Sequence, residues 1–489
     1  MAAEATHTGL RARPLGSLLR RCADYSLPLC MVCTLAVIVG DLDAARWPAR
    51  LALVVYLAAQ WRRQSPLARG LLLTGLALAF GIAVLHTRPA PLLAHALDRF
   101  CFFATFVSAL GMLRIAAMRS RLIRESGQAL VRQRPTRRYP ILALGTGLFG
   151  IIVNIGVLSL FGALIKRSNS LRAAGGHEWV RETRERRMML AMLRGFALVP
   201  LTSPLSITMA VILSNMPALT WFDIAPVALP TGALVFGLGW LFDWLQRPAP
   251  SGLALPEAEA PSLAPFGRFV MLAGAITCTV FGVAAIGGIG LPVAVLIACP
   301  LSAFAWLALQ RRRLGGGTGV GRAALLLSRH ARLIFGANRI EIAVLGGSGF
   351  LGALVAPLVD TERLGDLLLA SGLHGPAAAV TAMLVVTAFA QIGLNPIVTA
   401  TLILGVLPEP ATIGLHPVVL AAALMSAWAL SMLSSPFTAV MLILSGLTGR
   451  STYAITWRWN GAFFLLTTVA LSLWLIALGL VMTPAGAPG

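Results

Sequence analysis

Charged residues are scarce in this sequence. Only 12% of the 489 residues are Asp, Glu, Lys or Arg, whereas 57% are hydrophobic. Apolar runs of about 20 residues, long enough to span the hydrocarbon of a bilayer, recur along nearly the whole chain. This balance excludes a soluble globular protein, and we predict an all-α polytopic membrane protein with about 11 transmembrane helices.

Acidic residues are particularly few, 18 against 39 basic ones. None lies deep inside a predicted span, since Asp98, Asp223 and Asp243 fall near span ends. A proton pump or antiporter usually needs a buried titratable relay, so the sequence does not favour one. The basic residues cluster in short loops, as in cytoplasmic loops of membrane proteins, and therefore indicate topology rather than nucleic-acid binding.

Metal ligands and catalytic groupings are also lacking. Cys30 and Cys33 form a CxxC that could be a redox or metal pair. We interpret them instead as small apolar residues on one face of the first helix. The histidines are scattered and no Ser-His-Asp or Cys-His arrangement is evident. We expect no cofactor, no metal site beyond one for a transported cation, and no enzymatic activity.

The arginine distribution predicts a multi-pass protein of the bacterial inner (plasma) membrane, with a cytoplasmic N-terminus and a periplasmic C-terminus. The apolar segment 139–165 has arginines on both sides, so we predict a hairpin that enters and leaves from the cytoplasm with its tip near Asn154. The long apolar segment 376–408 has acidic flanks. It predicts a hairpin that enters from the outside, with Asn395-Pro396 at its tip.

Two apolar stretches carry a proline between hydroxyl residues, TSPLS at 202–206 and SSPFT at 434–438. Because proline removes a backbone hydrogen bond and clashes with the preceding turn, we predict broken helices over 188–215 and 415–447. Each half of the chain then has three helices, a hairpin, a broken helix and a closing helix. An odd number of crossings inverts the second copy, which is typical of secondary transporters.

This pattern predicts four segments along the chain. They are an N-terminal cytoplasmic segment with an extra helix (1–47), a first repeat (48–246), a cytoplasmic linker (247–267) and an inverted second repeat (268–489).

Hairpin tips and helix breaks meet near the membrane midplane in such folds. Free N–H groups there suit an anion, and freed carbonyls or hydroxyls can coordinate a small cation. The candidate substrate- and ion-binding residues are Asn154, Gly156, Thr202, Ser203, Pro204, Ser206 and Thr208, with Gln391, Asn395, Pro396, Thr399, Ser434, Ser435, Pro436 and Thr438 in the second repeat. The alternative is that the hydroxyls only satisfy the backbone freed by proline. Arg194 either extends to the membrane interface or faces an anionic substrate.

The arrangement of two hairpins and two broken helices resembles the ion-transporter superfamily, and within it the divalent-anion/sodium symporter family. That family has a Ser-Asn-Thr motif at each hairpin tip, where sodium and substrate carboxylates bind. The corresponding triplets here are Val153-Asn154-Ile155 and Leu394-Asn395-Pro396, in which the Asn carries over. The resemblance implies a homodimer, an elevator motion of the substrate domains and Na+ as coupling ion.

We therefore expect a secondary active transporter, a symporter-type permease, that moves a small anionic organic solute across the inner membrane by alternating access, with or without a coupling cation. Export of a metabolite or oxyanion is an alternative within transport. The alternative outside transport is a non-transporting membrane protein, either an assembly factor or an intramembrane enzyme acting on a lipid-linked substrate. The expected partners are the lipid bilayer, the solute and a second copy of the chain, but no nucleic acid.

Overall fold

The computed structural model describes residues 14–247, 261–312, 319–407 and 409–482, and the regular elements in these segments are all helices. Nine of the helical segments are long and apolar enough to cross a membrane, or ten if the pair Thr361–Ala370 and Gly375–Gln391, bent by 106°, counts as one span. This confirms the predicted all-α polytopic class. Most of the predicted linker 247–267 lies outside the described residues, and the division into inverted repeats stays a prediction.

Residues 14–247 form the helices α1 (Pro14–Gly40), α2 (Arg46–Gln60), α3 (Pro66–Leu85), α4 (Pro89–Met118), α5 (Arg121–Val131), α6 (Pro135–Val153), α7 (Gly156–Ser168), α8 (Glu178–Phe196), α9 (Val199–Thr202), α10 (Ile207–Asn215) and α11 (Trp221–Leu245).

The remaining described residues form α12 (Ala264–Gly287), α13 (Leu291–Arg312), α14 (Gly319–Ala337), α15 (Arg339–Val355), α16 (Thr361–Ala370), α17 (Gly375–Gln391), α18 (Pro396–Val406), α19 (Pro417–Ser434), α20 (Ala439–Thr448) and α21 (Gly461–Val481), with a π-helix (Ala454–Trp459) before α21.

The predicted number of about eleven spans includes α1 and α2. The apolar part of α1, Tyr25–Gly40, is a shorter helix, and α2 has 15 residues. A straight crossing of the hydrocarbon takes about 20 residues, so neither meets that length alone. The count of eleven therefore stays a prediction.

The two proline-interrupted segments lie at the centre of the molecule. The segment Pro417–Thr448 contains α19 and α20, and 94% of its most apolar 18-residue stretch is buried. The segment Glu178–Asn215 contains α8 to α10, and the corresponding share is 83%. The outer helices α3, α12 and α21 are only 22–28% buried. Their exposed apolar side chains would face lipid, whereas the helix breaks are enclosed by protein.

Helices α6 and α8 cross closely because small residues meet at the crossing. A Cβ added at Gly147 would lie 3.0 Å from the carbonyl oxygen of Gly195. A Cβ added at Gly195 would meet the backbone of Ala143, with its Cα at 2.6 Å. Glycines that let backbones approach in this way are typical of helix contacts in membranes. The crossing positions the C-terminal end of α6, where the first hairpin turns.

Candidate functional site

The first proline break leaves a short non-helical segment between α9 and α10. Ser203 has an extended backbone (φ −100°, ψ 120°), and Ser206 begins α10 as its N-cap, with its Oγ accepting the N–H of Met209 at 3.1 Å. The Oγ of Ser203 accepts the N–H of Leu205 at 3.2 Å. The hydroxyls thus satisfy N–H groups that the break frees.

The second break, between α19 and α20, has the same hydrogen-bond pattern. Ser435 is extended (φ −81°, ψ 121°), and its Oγ accepts the N–H of Phe437 at 3.3 Å. Thr438 is the N-cap of α20, accepting the N–H of Met441 at 3.4 Å. Ser203 and Ser435 therefore correspond, as do Ser206 and Thr438.

The residues that end the preceding helices correspond as well. Thr202 donates through Oγ1 to the carbonyl of Leu198 at 3.0 Å, and Ser434 donates through Oγ to that of Leu430 at 2.8 Å. The two differ from Ser203 and Ser206, because their hydrogens are already used within the helix. In the described part of the chain, Ser203 and Ser206 only accept hydrogen bonds, so each retains an O–H that a ligand could accept.

Asn154 forms the tip of the first hairpin. Its φ of 53° and ψ of −144° are rare for any residue other than glycine. Its Oδ1 accepts the N–H of the next residue, Ile155, at 2.8 Å, while its amide N–H groups donate to no protein acceptor among the described residues. A strained backbone of this kind costs about 1–3 kcal/mol and occurs disproportionately at functional sites.

A cavity of about 60 Å³ lies where the first hairpin tip meets the first break. Its polar lining comes from Asn154, Ser203, Ser206 and Thr208, and α19 closes it with Trp428 and Met432. The N-terminus of α10 also borders the cavity, since Ser206 and Ile207 both line it. Four of the predicted site residues are thus brought together.

The other predicted site residues do not line this cavity. They are Gly156, Thr202 and Pro204 from the first unit and Gln391, Asn395, Pro396, Thr399, Ser434, Ser435, Pro436 and Thr438 from the second. Of these, Gly156 follows the hairpin tip directly and begins α7.

The second hairpin is bonded to the second break. Ser435 donates through Oγ to the carbonyl of Ala390 at 2.6 Å, and Gln391 donates through Nε2 to the Oγ of Ser434 at 2.7 Å. Asn395 caps α18, with its Oδ1 accepting the N–H of Ile397 at 2.9 Å. These contacts join the end of α17 to the end of α19 and hold the second hairpin in place.

Charged residues beside the first hairpin tip were not predicted from the sequence. Arg114 of α4 and Glu341 of α15 line a small cavity of about 10 Å³ together with Asn154 and Asn338. The guanidinium is so close to the hairpin that a Cβ at Gly156 would lie 3.0 Å from its Nε. Glu341 occupies the first turn of its helix, where an acid looks like an interfacial residue in sequence.

Arg194 extends neither to the interface nor into the cavity. It is 3% exposed, and its Nε donates to the Oδ1 of Asn460 at 3.1 Å. Its guanidinium carbon lies 4.0 Å from the ring centroid of Phe463, an arrangement that stabilises a buried cation. Asn460 in turn donates through Nδ2 to the carbonyl of Leu433, in the last turn before the second break, at 2.9 Å. This contact connects α8 with the end of α19.

Solved structures of similar fold are transporters. The chain aligns with the YdaH transporter of Alcanivorax borkumensis at a TM-score of 0.51 and 15% identity, covering 85% of this chain and 99% of that one. It also aligns with MtrF of Neisseria gonorrhoeae, described as illuminating a class of antimetabolite efflux pumps. The TM-score is 0.50 and the identity 15%, and the alignment covers 86% of this chain and 97% of MtrF. At this identity the likeness shows a shared fold.

No family model and no curated protein sequence matches the chain. The resemblance to the divalent-anion/sodium symporter family therefore stays a prediction.

Proposed function

We propose that the protein is a secondary transporter that moves a small anionic organic solute across the inner membrane by alternating access. The observation that carries this proposal is the cavity at the first helix break, where Asn154, Ser203 and Ser206 meet in the buried centre of a transporter fold. Broken helices at protein-enclosed depth are where secondary transporters bind their substrates.

The helix ends around this cavity support an anionic solute. The N-terminus of α10 borders the cavity and that of α7 follows Asn154, so the partial positive ends of two helices lie near it. The guanidinium of Arg114 lies against the start of α7, but Glu341 lines the same small cavity as this arginine and offsets its charge. An anion could accept hydrogen bonds from the amide of Asn154 and from the hydroxyls of Ser203 and Ser206.

The size of the cavity supports alternating access. Its volume of about 60 Å³ has room for a few waters or a monatomic ion, whereas solute pockets measure roughly 300–1,000 Å³. A solute can therefore enter only if the hairpin, the broken helix or α19 moves. Alternating access requires such a motion, because it opens the binding site first to one side of the membrane and then to the other.

Two further elements belong to the proposal. The matching hydrogen bonds at Ser203/Ser206 and Ser435/Thr438 support two inverted repeats, each with a hairpin and a broken helix. Hydroxyl and backbone oxygens at the first break could also coordinate Na+ as a coupling ion. We propose that the protein works as a homodimer.

The proposal is tested by ligand-dependent thermal stability of the purified protein. Organic and inorganic anions are screened with and without sodium, because a ligand that binds only the folded state raises stability by RT ln(1 + [L]/Kd). We expect at least one organic anion to raise the unfolding midpoint of the wild type. The Asn154→Ala/Ser203→Ala variant should lose this shift.

The matched control is Thr468→Ala, because in the described part of the chain the Oγ1 of Thr468 bonds only to the carbonyl of Phe464, within the outer helix α21. This variant should keep the full ligand shift. A ligand shift that survives in the Asn154→Ala/Ser203→Ala variant would place the binding site elsewhere. If no anion stabilises the wild type and the same variant still supports function in cells, the non-transporting alternative is favoured.

A further inference from the structure

A second polar pocket, distinct from the cavity at the first break, opens on the arginine-rich face of the protein. It has a volume of about 280 Å³. Its lining consists of Glu182, Thr183, Arg186, Arg450, Ala454, Arg458 and Trp459. These residues come from α8, from the loop after α20 and from the π-helix, so the pocket joins the segments next to both helix breaks.

One acid faces the three arginines of this pocket, so two of the arginines are left without an acidic partner among the described residues. Glu182 pairs with Arg450 at 3.3 Å, and both side chains are more than half exposed. In the described part of the chain, Arg186 and Arg458 donate to no protein acceptor and form no ion pair. Their two like charges are close enough to repel each other. Arg186 lies over the ring of Trp459, with the guanidinium carbon 5.9 Å from the centroid, which holds it on the pocket wall.

Two guanidinium groups that line one pocket have the chemistry that recognises a phosphate. Each presents N–H donors in a planar fork that fits two oxygens of the same anion. The pocket has the volume of a small ligand, which suits a phosphate with a few attached atoms better than a larger solute.

The residues around the pocket favour a phosphate that belongs to a lipid headgroup. Tyr453 and Trp457, on the same turn of chain, are 57% and 45% exposed. Exposed Tyr and Trp beside arginines are typical of the interface between the bilayer and water. Basic pockets between membrane helices on the cytoplasmic side, the side that the arginines predict here, bind anionic headgroups.

We propose that the pocket formed by Arg186, Arg450 and Arg458 binds the phosphate of an anionic phospholipid. The site lies one residue from Asn460, which bonds to the carbonyl of Leu433 before the second break and to the buried Arg194. A bound lipid therefore holds the π-helix against α8 and stabilises the arrangement of the second break.

The test is a titration of the purified protein in detergent with phosphatidylglycerol, with phosphatidylcholine and with inorganic phosphate, followed by the thermal unfolding midpoint. We expect phosphatidylglycerol to stabilise the wild type more than the other two. Arg186→Gln/Arg458→Gln should bind phosphatidylglycerol about 30-fold more weakly. Arg186→Lys/Arg458→Lys keeps the charge but loses the planar forks, so its lipid affinity should lie between those of the wild type and the Gln variant. This variant also covers the case in which the Gln variant does not fold.

The control is Arg167→Gln/Arg172→Gln, which removes two exposed arginines of the same face outside the pocket. It should keep the lipid affinity of the wild type. An equal loss in the control would mean that only the general charge of the face matters, and would overturn the proposal. Equal stabilisation by inorganic phosphate would assign the pocket to a soluble anion instead. The titration contains no transported solute, so its result is independent of the proposed function.

Discussion

The close crossing of α6 and α8 allows one perturbation to be worked out from the structure. In Gly195→Ala the added methyl carbon would lie 2.6 Å from the Cα of Ala143 and would also meet its carbonyl oxygen. Ordinary contacts are 3.4–4 Å, so the two helices must separate by about 1 Å. Neither side of the clash is a flexible side chain. We therefore expect a loss near the upper end of the usual overpacking range, about 3 kcal/mol.

The assay for Gly195→Ala is the thermal unfolding midpoint in detergent, measured beside Gly282→Ala. Gly282 is in the outer helix α12, and a Cβ there meets nothing within 4 Å. We expect Gly195→Ala to unfold several degrees below wild type and Gly282→Ala to match or exceed it. Because α6 ends at Asn154, anion binding at the first break should weaken as well. Equal midpoints for the two variants would refute the described crossing.

Three further predictions concern single contacts. Asn460→Ala removes the acceptor of the Arg194 Nε and leaves the longer bond of Nη1 to the carbonyl of Gly239 at 3.4 Å, so it should cost about 1–3 kcal/mol. A double-mutant cycle with Arg194→Met should give less than the sum of the two single losses. Asp98→Asn weakens the ion pairs with Arg46 and Arg50 of α2 and should lower the free energy of unfolding by about 2 kcal/mol in low salt. The loss should be smaller in high salt, and unfolding measured at two ionic strengths would show this. Ser435→Ala removes the side-chain hydrogen bond to the carbonyl of Ala390, which keeps its backbone donor Gly393, and should increase hydrogen exchange at the second hairpin tip.

The helical class was predictable because the signals for it are local. A run of about 20 apolar residues needs only composition to be recognised, and the described segments are helical as expected. A proline between hydroxyls likewise acts on its own turn of helix, and the structure has helix ends at Thr202 and Ser434, next to the two prolines. Neither inference requires knowledge of which helices touch.

Features that depend on packing were not predictable. Helices α5 and α16 lie in stretches that are too polar to be recognised as membrane spans from hydropathy. Their apolar residues share one face of the helix, and that face gains its stabilising contacts only when the rest of the chain is folded. The burial of Arg194 requires an acceptor 266 residues away in sequence, and no local pattern indicates such a partner.

The candidate site shows the same limit. Hydroxyls at both breaks were predicted with equal weight, and the cavity of about 60 Å³ lies at the first break, where Asn154 and Ser203 meet Trp428 of α19. Arg114 reaches the hairpin tip from a distant helix, which sequence spacing cannot indicate.

The measurement that tests transport most directly is exchange of the stabilising anion across liposomes that contain the purified protein. The protein is reconstituted, loaded with unlabelled anion and given labelled anion outside, with and without a sodium gradient. We predict saturable accumulation by wild type and Thr468→Ala, and its loss in Asn154→Ala. Binding of the anion without any protein-dependent movement across the membrane would contradict the account.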